Sequence, residues 1–141
     1  MTQSQHTIVL LDPSSEVGER SLEYALEHLH PVPTEITLFV ALTGVTAQSL
    51  RDYAASEDID LPIAAQNYLD QLRSHVESTE LPVAVVSSLG IDLAADIADY
   101  GGERTIGAVV VPARVARLDP GFVPRVATLM DIPVIVVPSA R

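Results

Sequence analysis

The sequence predicts an α/β fold: a five-stranded, doubly wound parallel sheet with helices on both faces. Three observations predict it. Stretches rich in β-branched residues alternate with stretches of helical period in the order βαβαβαβαβ, and such alternation implies right-handed crossovers onto one parallel sheet. The strand candidates are near-continuous apolar runs, as in Ala108-Val109-Val110-Val111 and Val134-Ile135-Val136-Val137, which suits strands covered on both faces. A chain of 141 residues, 48% of them hydrophobic, is long enough for one domain, residues 1–141, with a sizeable core.

His6 to Leu11 reads as the first strand, ended by the turn signal Asp12-Pro13-Ser14-Ser15, because proline cannot continue a central ladder. Glu16 to His30 follows a helical period with Val17, Leu22, Ala25, Leu26 and Leu29 inward, and Pro31 and Pro33 end it. Glu16, Glu19, Glu23 and Glu27, on its other face with Arg20, read as a solvated surface rather than a cation site. Glu35 to Leu42 is the second strand. Thr46 to Ser56 predicts a short helix, and Asp60 caps a longer one whose apolar stripe is Leu61, Ala65, Leu69, Leu72 and Val76.

Val83 to Ser88 is the third strand, and Gly90 gives the turn after it freedom to adopt positive φ. Ile91 to Tyr100 predicts a helix burying Leu93, Ala94, Ile97 and Ala98 and stopped by Gly101-Gly102, which leaves Asp92, Asp96 and Asp99 in water. Ile106 to Val111 is the fourth strand. A polar loop closed by Asp119-Pro120-Gly121, a short helix from Phe122 to Met130 and a last strand from Val134 to Val137 complete the chain.

Charge and composition exclude several functions. Ten Asp and nine Glu face eight Arg and no Lys, a net charge of −11 that repels nucleic-acid backbones and anionic membrane surfaces. No apolar run approaches the ~20 residues of a bilayer span, and Met1 to His6 lacks a signal-peptide pattern, so a cytoplasmic chain is expected. With no cysteine there is no disulfide framework, thiolate nucleophile or thiolate metal site. The lysine-free acidic surface suits a halophile, whose high ionic strength screens repulsion between carboxylates.

In the strand order 3-2-1-4-5 the switch point lies between the first and fourth strands, where Asp12 to Ser15 face Pro112 to Arg117. Arg114, Arg117 and Arg125 can grip phosphate bidentately or simply neutralise the acidic shell. No nucleophile and base meet there: His6 lies at the amino end of its strand, and His28 and His30 lie at the far end of the first helix. No catalytic residue or metal ligand is assigned.

The chain resembles the universal stress protein family nearly end to end. The residues that carry the resemblance are Asp12 and Ser14 after the first strand, Arg20-Ser21-Leu22-Glu23-Tyr24-Ala25-Leu26, the Leu89-Gly90 turn, the valine-rich fourth strand and Ile132-Pro133-Val134-Ile135-Val136-Val137. The resemblance implies an adenine nucleotide alpha hydrolase-like fold and a stress-response or regulatory role without catalysis. Family members that bind ATP resemble one another in a glycine-x-x-glycine followed by a glycine-serine or -threonine pair after the fourth strand. Here the corresponding positions hold Pro112, Val115, Pro120 and Gly121, and the loop is shorter than that spacing requires. Two prolines remove N–H donors that would approach the phosphates, so tight ATP binding is not expected and no cofactor is assigned. The alternative is an adenine-nucleotide sensor or slow ATPase holding ATP or AMP with Mg²⁺ through Asp12, Val40, Pro112, Arg114 and Gly121. For Asp12 the competing reading is a helix cap, and for Val40 plain core.

An apolar last strand at a sheet edge, without lysine or other charge, invites a partner. Family members pair this strand across a two-fold axis, which implies a homodimer through Val134, Ile135, Val136 and the Phe122 to Met130 helix, with any regulatory protein partner left unspecified. The carboxylate excess itself generates a prediction. Stability should rise steeply with KCl up to molar concentrations, as the Debye length shortens to ~3 Å at 1 M. A melting temperature unchanged between low and molar KCl removes the salt-adapted reading.

Overall fold

The computed structural model describes residues 5–15, 19–29, 32–89 and 91–138. Its strands are β1 (His6–Leu10), β2 (Glu35–Ala41), β3 (Val83–Ser88), β4 (Ile106–Pro112) and β5 (Val134–Val137). They form one sheet in the order β3-β2-β1-β4-β5, and each pair is parallel. The helices are α1 (Arg20–Glu27), α2 (Gln48–Glu57), α3 (Leu61–Glu77), α4 (Leu93–Gly102), α5 (Ala113–Leu118) and α6 (Phe122–Met130), with a 3₁₀ turn at Val45–Ala47 before α2. The register of β1 on β4 slips by one residue between His6 and Thr7, a bulge that takes up Gly107.

Alternation along each strand divides the core into two layers. Val9, Leu11, Leu38, Val40 and Val110 point to one face and meet Leu22 and Ala25 of α1 and Leu69 and Val76 of α3. Ile8, Leu10, Phe39, Val109 and Val111 point to the other and meet Ala94 and Ile97 of α4 and Phe122 and Val126 of α6. The strands are therefore apolar on both faces, as a central parallel sheet requires. At the amino end of the sheet, His6 is buried with its Nε2 2.7 Å from the Thr37 hydroxyl, which lies 2.7 Å from the Tyr100 hydroxyl. Burial holds the His6 imidazole below its ordinary pKa, with Glu35 opposing the shift and Arg104 adding to it.

Three expectations are corrected. Residues 113–118 form α5 rather than a polar loop: Ala113, Arg114, Arg117 and Leu118 are good helix formers, Pro112 holds φ −66° at the N-cap, and Val115 is buried against the second layer. Gly101 and Gly102 form the last turn of α4 instead of following it. Glu19 is not a surface residue; its carboxylate is turned inward. Glu23 and Glu27 are exposed as expected. Glu16, Val17, His30 and the turn glycine Gly90 lie outside the described residues.

The close approach of α4 and α6 depends on Gly101. A Cβ there would collide with Met130 Cε and stand 3.2 Å from Ile106 Cγ1, whereas one at Gly102 would meet nothing within 4 Å. Gly101→Ala should therefore destabilise the fold by about 1 kcal/mol, overpacking being partly relieved by the flexible methionine and by better helix propensity. Gly102→Ala should stabilise it by roughly 0.5 kcal/mol through the same propensity alone. Urea denaturation of the two variants checks the pair; equal effects would show that no tight contact exists at Gly101.

Candidate functional site

The carboxyl ends of β1 and β4 diverge at the switch point, and the chain after β1 turns sharply at Asp12-Pro13-Ser14. The Ser15 N–H donates to the Asp12 carbonyl (3.0 Å), and the Ser14 N–H donates to Asp12 Oδ1 (3.2 Å). Asp12 is almost wholly buried, and its carboxylate accepts from Arg114 Nη1 at 2.8 Å (Oδ1) and 3.0 Å (Oδ2). Arg114 reaches it because α5 places its first turn beside the end of β4. The Ser14 hydroxyl donates to the Thr46 carbonyl (2.9 Å) and accepts from the Ser49 N–H (3.1 Å), which ties the same turn to the start of α2.

Glu19 completes this cluster. Its Oε2 accepts the Asp12 N–H at 3.1 Å, while its Oε1 is buried and has no hydrogen-bond partner among the described residues. Burial pushes the Glu19 carboxyl up to about 7; the Asp12 N–H opposes the shift and the Asp12 charge reinforces it. Neither the Asp12 nor the Glu19 side chain caps α1.

The open space lies beside this cluster, on the face covered by α4 and α6. It is a crevice of about 440 Å³. Leu10, Ala41, Ala94, Val115 and Phe122 form its buried apolar wall, and Thr43, Thr46, Ile91, Leu118 and Asp119 form its lip. Asp92 and Arg125 also line it and face each other: Arg125 Nη2 is 2.6 Å from Asp92 Oδ2, and Nε is 3.3 Å from Oδ1. Asp92 Oδ1 accepts the Ala95 N–H as well and so caps α4 (3.3 Å). The Arg125 hydrogen bond, with the Ala95 N–H, holds the Asp92 carboxyl below its ordinary range.

The residues singled out by sequence are thus dispersed. Asp12 and Arg114 are brought together, but on each other. Val40 is fully buried in the layer under α1 and α3, and Ala41 forms the crevice wall at that level. Pro112 ends β4 and precedes α5; Gly121 lines the crevice at the start of α6. Arg117 is exposed. Asp92 was hidden in a row of aspartates expected in water, since its partner stands 33 positions away. Asp92 is exposed as expected, whereas Asp96 departs from that row, half-buried and in a short contact with the Ser88 hydroxyl. Among the described residues no cluster of three or more His, Asp or Glu is placed to hold a metal, and no helix is long and apolar enough to cross a membrane.

Solved structures resemble this arrangement over nearly its whole length. Hypothetical protein MJ0577 superposes with a TM-score of 0.71 at 15% identity, covering 99% of each chain. Hypothetical protein PH0823 gives 0.66 at 19% identity, covering 95% of this chain and 96% of its own. A universal stress protein family protein from Arabidopsis thaliana, At3g01520, whose crystal structure has AMP bound, gives 0.63 at 13% identity, covering 95% and 91%. The chain has the universal stress protein fold. No family model matches the sequence, and no curated protein matches it, so the likeness is one of architecture. Within that fold the strand order 3-2-1-4-5 stands as expected from the sequence. The open crevice is instead lined by Leu10 and Ala41 at the ends of β1 and β2 and, of the Asp12 to Ser15 and Pro112 to Arg117 stretches expected to face it, among the described residues only by Val115.

The buried Glu19 generates a pH prediction. Its folded pKa of about 7 lies above the ordinary 4.5, so its contribution to stability is fully present below pH 4.5 and is lost as pH rises through 7. The loss amounts to on the order of 3 kcal/mol. Glu19→Gln remains neutral and can still accept the Asp12 N–H. The stability advantage of the variant should be small at pH 5 and grow by up to that amount at pH 8.5, read from denaturant midpoints. A difference independent of pH means that the carboxylate does not titrate in a buried site.

Proposed function

We propose that this chain is a non-enzymatic stress-response or regulatory protein of universal stress protein type, that it acts as a homodimer, and that it does not hold ATP tightly. The Asp12–Arg114 pair carries this reading. In the family resemblance Asp12 would hold the ribose or base, but its carboxylate is already satisfied by a guanidinium and an amide N–H. A nucleotide would have to break a buried ion pair, and removing one partner of such a pair costs roughly 3 to 5 kcal/mol. Phosphate groups would meet Asp119, an Arg125 already bound to Asp92, and prolines without donors at positions 112 and 120. Among the described residues the crevice lining offers threonine hydroxyls and no histidine to activate one.

The dimer rests on β5. It pairs with β4 on one side only, Val136 is 42% exposed, and Val134 and Ile135 are half-buried. An open apolar edge of this kind is protected by pairing with a second copy. The alternative, an adenine-nucleotide sensor or slow ATPase using ATP or AMP with Mg²⁺, is favoured by the AMP bound to At3g01520, whose fold this chain shares. The acidic, lysine-free composition supports a salt-rich interior as the setting for either role.

Calorimetry with ATP and AMP plus Mg²⁺ in molar KCl, alongside sedimentation of the same sample, tests the proposal. The expected result is nucleotide affinity weaker than about 1 mM, an interaction below roughly 4 kcal/mol. Sedimentation should show a dimer at tens of micromolar that Val136→Pro dissociates. Micromolar ATP binding abolished by Asp12→Ala would establish the sensor instead, and a monomeric parent chain would remove the β5 interface.

A further inference from the structure

We infer that the crevice between β1, β2, α4, α5 and α6 binds a small, uncharged and largely apolar molecule, held by its buried wall and covered by Ile91 and Leu118 at its lip. The inference rests on the reading that ATP is not held tightly and names the class of ligand that the same crevice accepts. Its 440 Å³ falls within the roughly 300 to 1,000 Å³ of small-molecule sites. Its wall is apolar where it is deepest, at Leu10, Ala94 and Phe122.

Charge decides the class. Among the described residues three charged side chains line the crevice, and two of them, Asp92 and Arg125, neutralise each other at 2.6 Å. Asp119 remains, in a chain whose net charge is −11, so an anion would find repulsion and no uncommitted cation in the lining. A neutral ligand meets neither obstacle. The Thr43 and Thr46 side chains line the crevice, and their hydroxyls offer a polar group a place to bond and set its orientation.

The lip supplies an independent observation. Ile91 is 89% exposed and Leu118 is 53% exposed, two large apolar side chains that line the same crevice. A scattered apolar residue on a surface needs no explanation, but two that border the same apolar cavity extend it outward. A ligand seated on the wall would bury both, adding hydrophobic contact that grows with the area removed from water. The strand edge at β5 lies apart from this opening and is not among the residues that line it.

Fluorescence titration of the full chain with the neutral dye N-phenyl-1-naphthylamine in molar KCl tests the inference. The expected result is saturable binding of one dye per chain, weakened about ten-fold or more by the lip variant Ile91→Asp/Leu118→Asp and by the cavity-filling Ala94→Phe. The lip variant changes exposed residues and keeps the test valid if Ala94→Phe does not fold. Val136→Ser, at the strand edge, should leave the affinity unchanged. A titration without saturation overturns the inference, as does affinity that survives the lip variant or falls only in Val136→Ser. Displacement of the dye by micromolar AMP also overturns it, because the crevice would then prefer a phosphate ligand. Loss of dye binding in the lip variant supports the inference even if calorimetry finds nucleotide bound elsewhere, so the two readings fail separately.

Discussion

The buried ion pair between Asp12 and Arg114 organises the functional end of this molecule. A carboxylate with a side chain 2% exposed cannot stand alone in a low-dielectric interior, and here the guanidinium and the Ser14 N–H satisfy it together. The pair joins segments more than a hundred residues apart in the chain, β1 and the first turn of α5. Ser14 carries the connection onward to Thr46 and Ser49, so the β1 turn, α5 and the start of α2 form one hydrogen-bonded unit. Loosening Arg114 would therefore disturb three elements at once.

This unit also divides the space above the sheet. Side chains alternate along β1, so Leu10 faces α4 and α6 while Leu11 faces α1 and α3. The open crevice lies on the side of α4 and α6, lined by Leu10 and, among the described residues, by none of the Asp12-Pro13-Ser14 turn. Gly101 contributes from below by letting α6 approach α4 closely, and the Asp92–Arg125 pair joins the same two helices at the crevice end. Asp92–Arg125 is exposed, and pairs of that kind contribute little to stability. Its consequence is electrostatic, because it commits the one arginine among the described residues that line the crevice.

Glu19 shows how the same geometry stores a pH response. Its carboxylate lies away from water and beside the Asp12 charge, and both effects favour the protonated form. At the opposite end of the sheet, burial instead favours the neutral form of His6. Its contribution to stability is present above pH 6.5 and is lost as pH falls through its lowered folded value, the reverse of the Glu19 trend. The two groups oppose one another on the acid side of neutrality.

By itself the sequence determined the class of fold, the strand order and the identity of nearly every strand. Each depended on local patterning: continuous valine and isoleucine runs in β4 and β5, proline at the end of the β1 run, and a helical stripe from Leu61 to Val76. Those signals arise within a few neighbouring residues and survive without knowledge of the rest of the chain. Tertiary structure alone decided the site. Arg114 could be read as a phosphate ligand or a surface charge until α5 placed it against Asp12, and Glu19 looked like one more carboxylate on a solvated face until the turn after β1 covered it. Asp92 was one of three similar aspartates until α6 brought Arg125 beside it. Which charge meets which depends on the packing of elements far apart in the chain, and local periodicity carries no record of those distances.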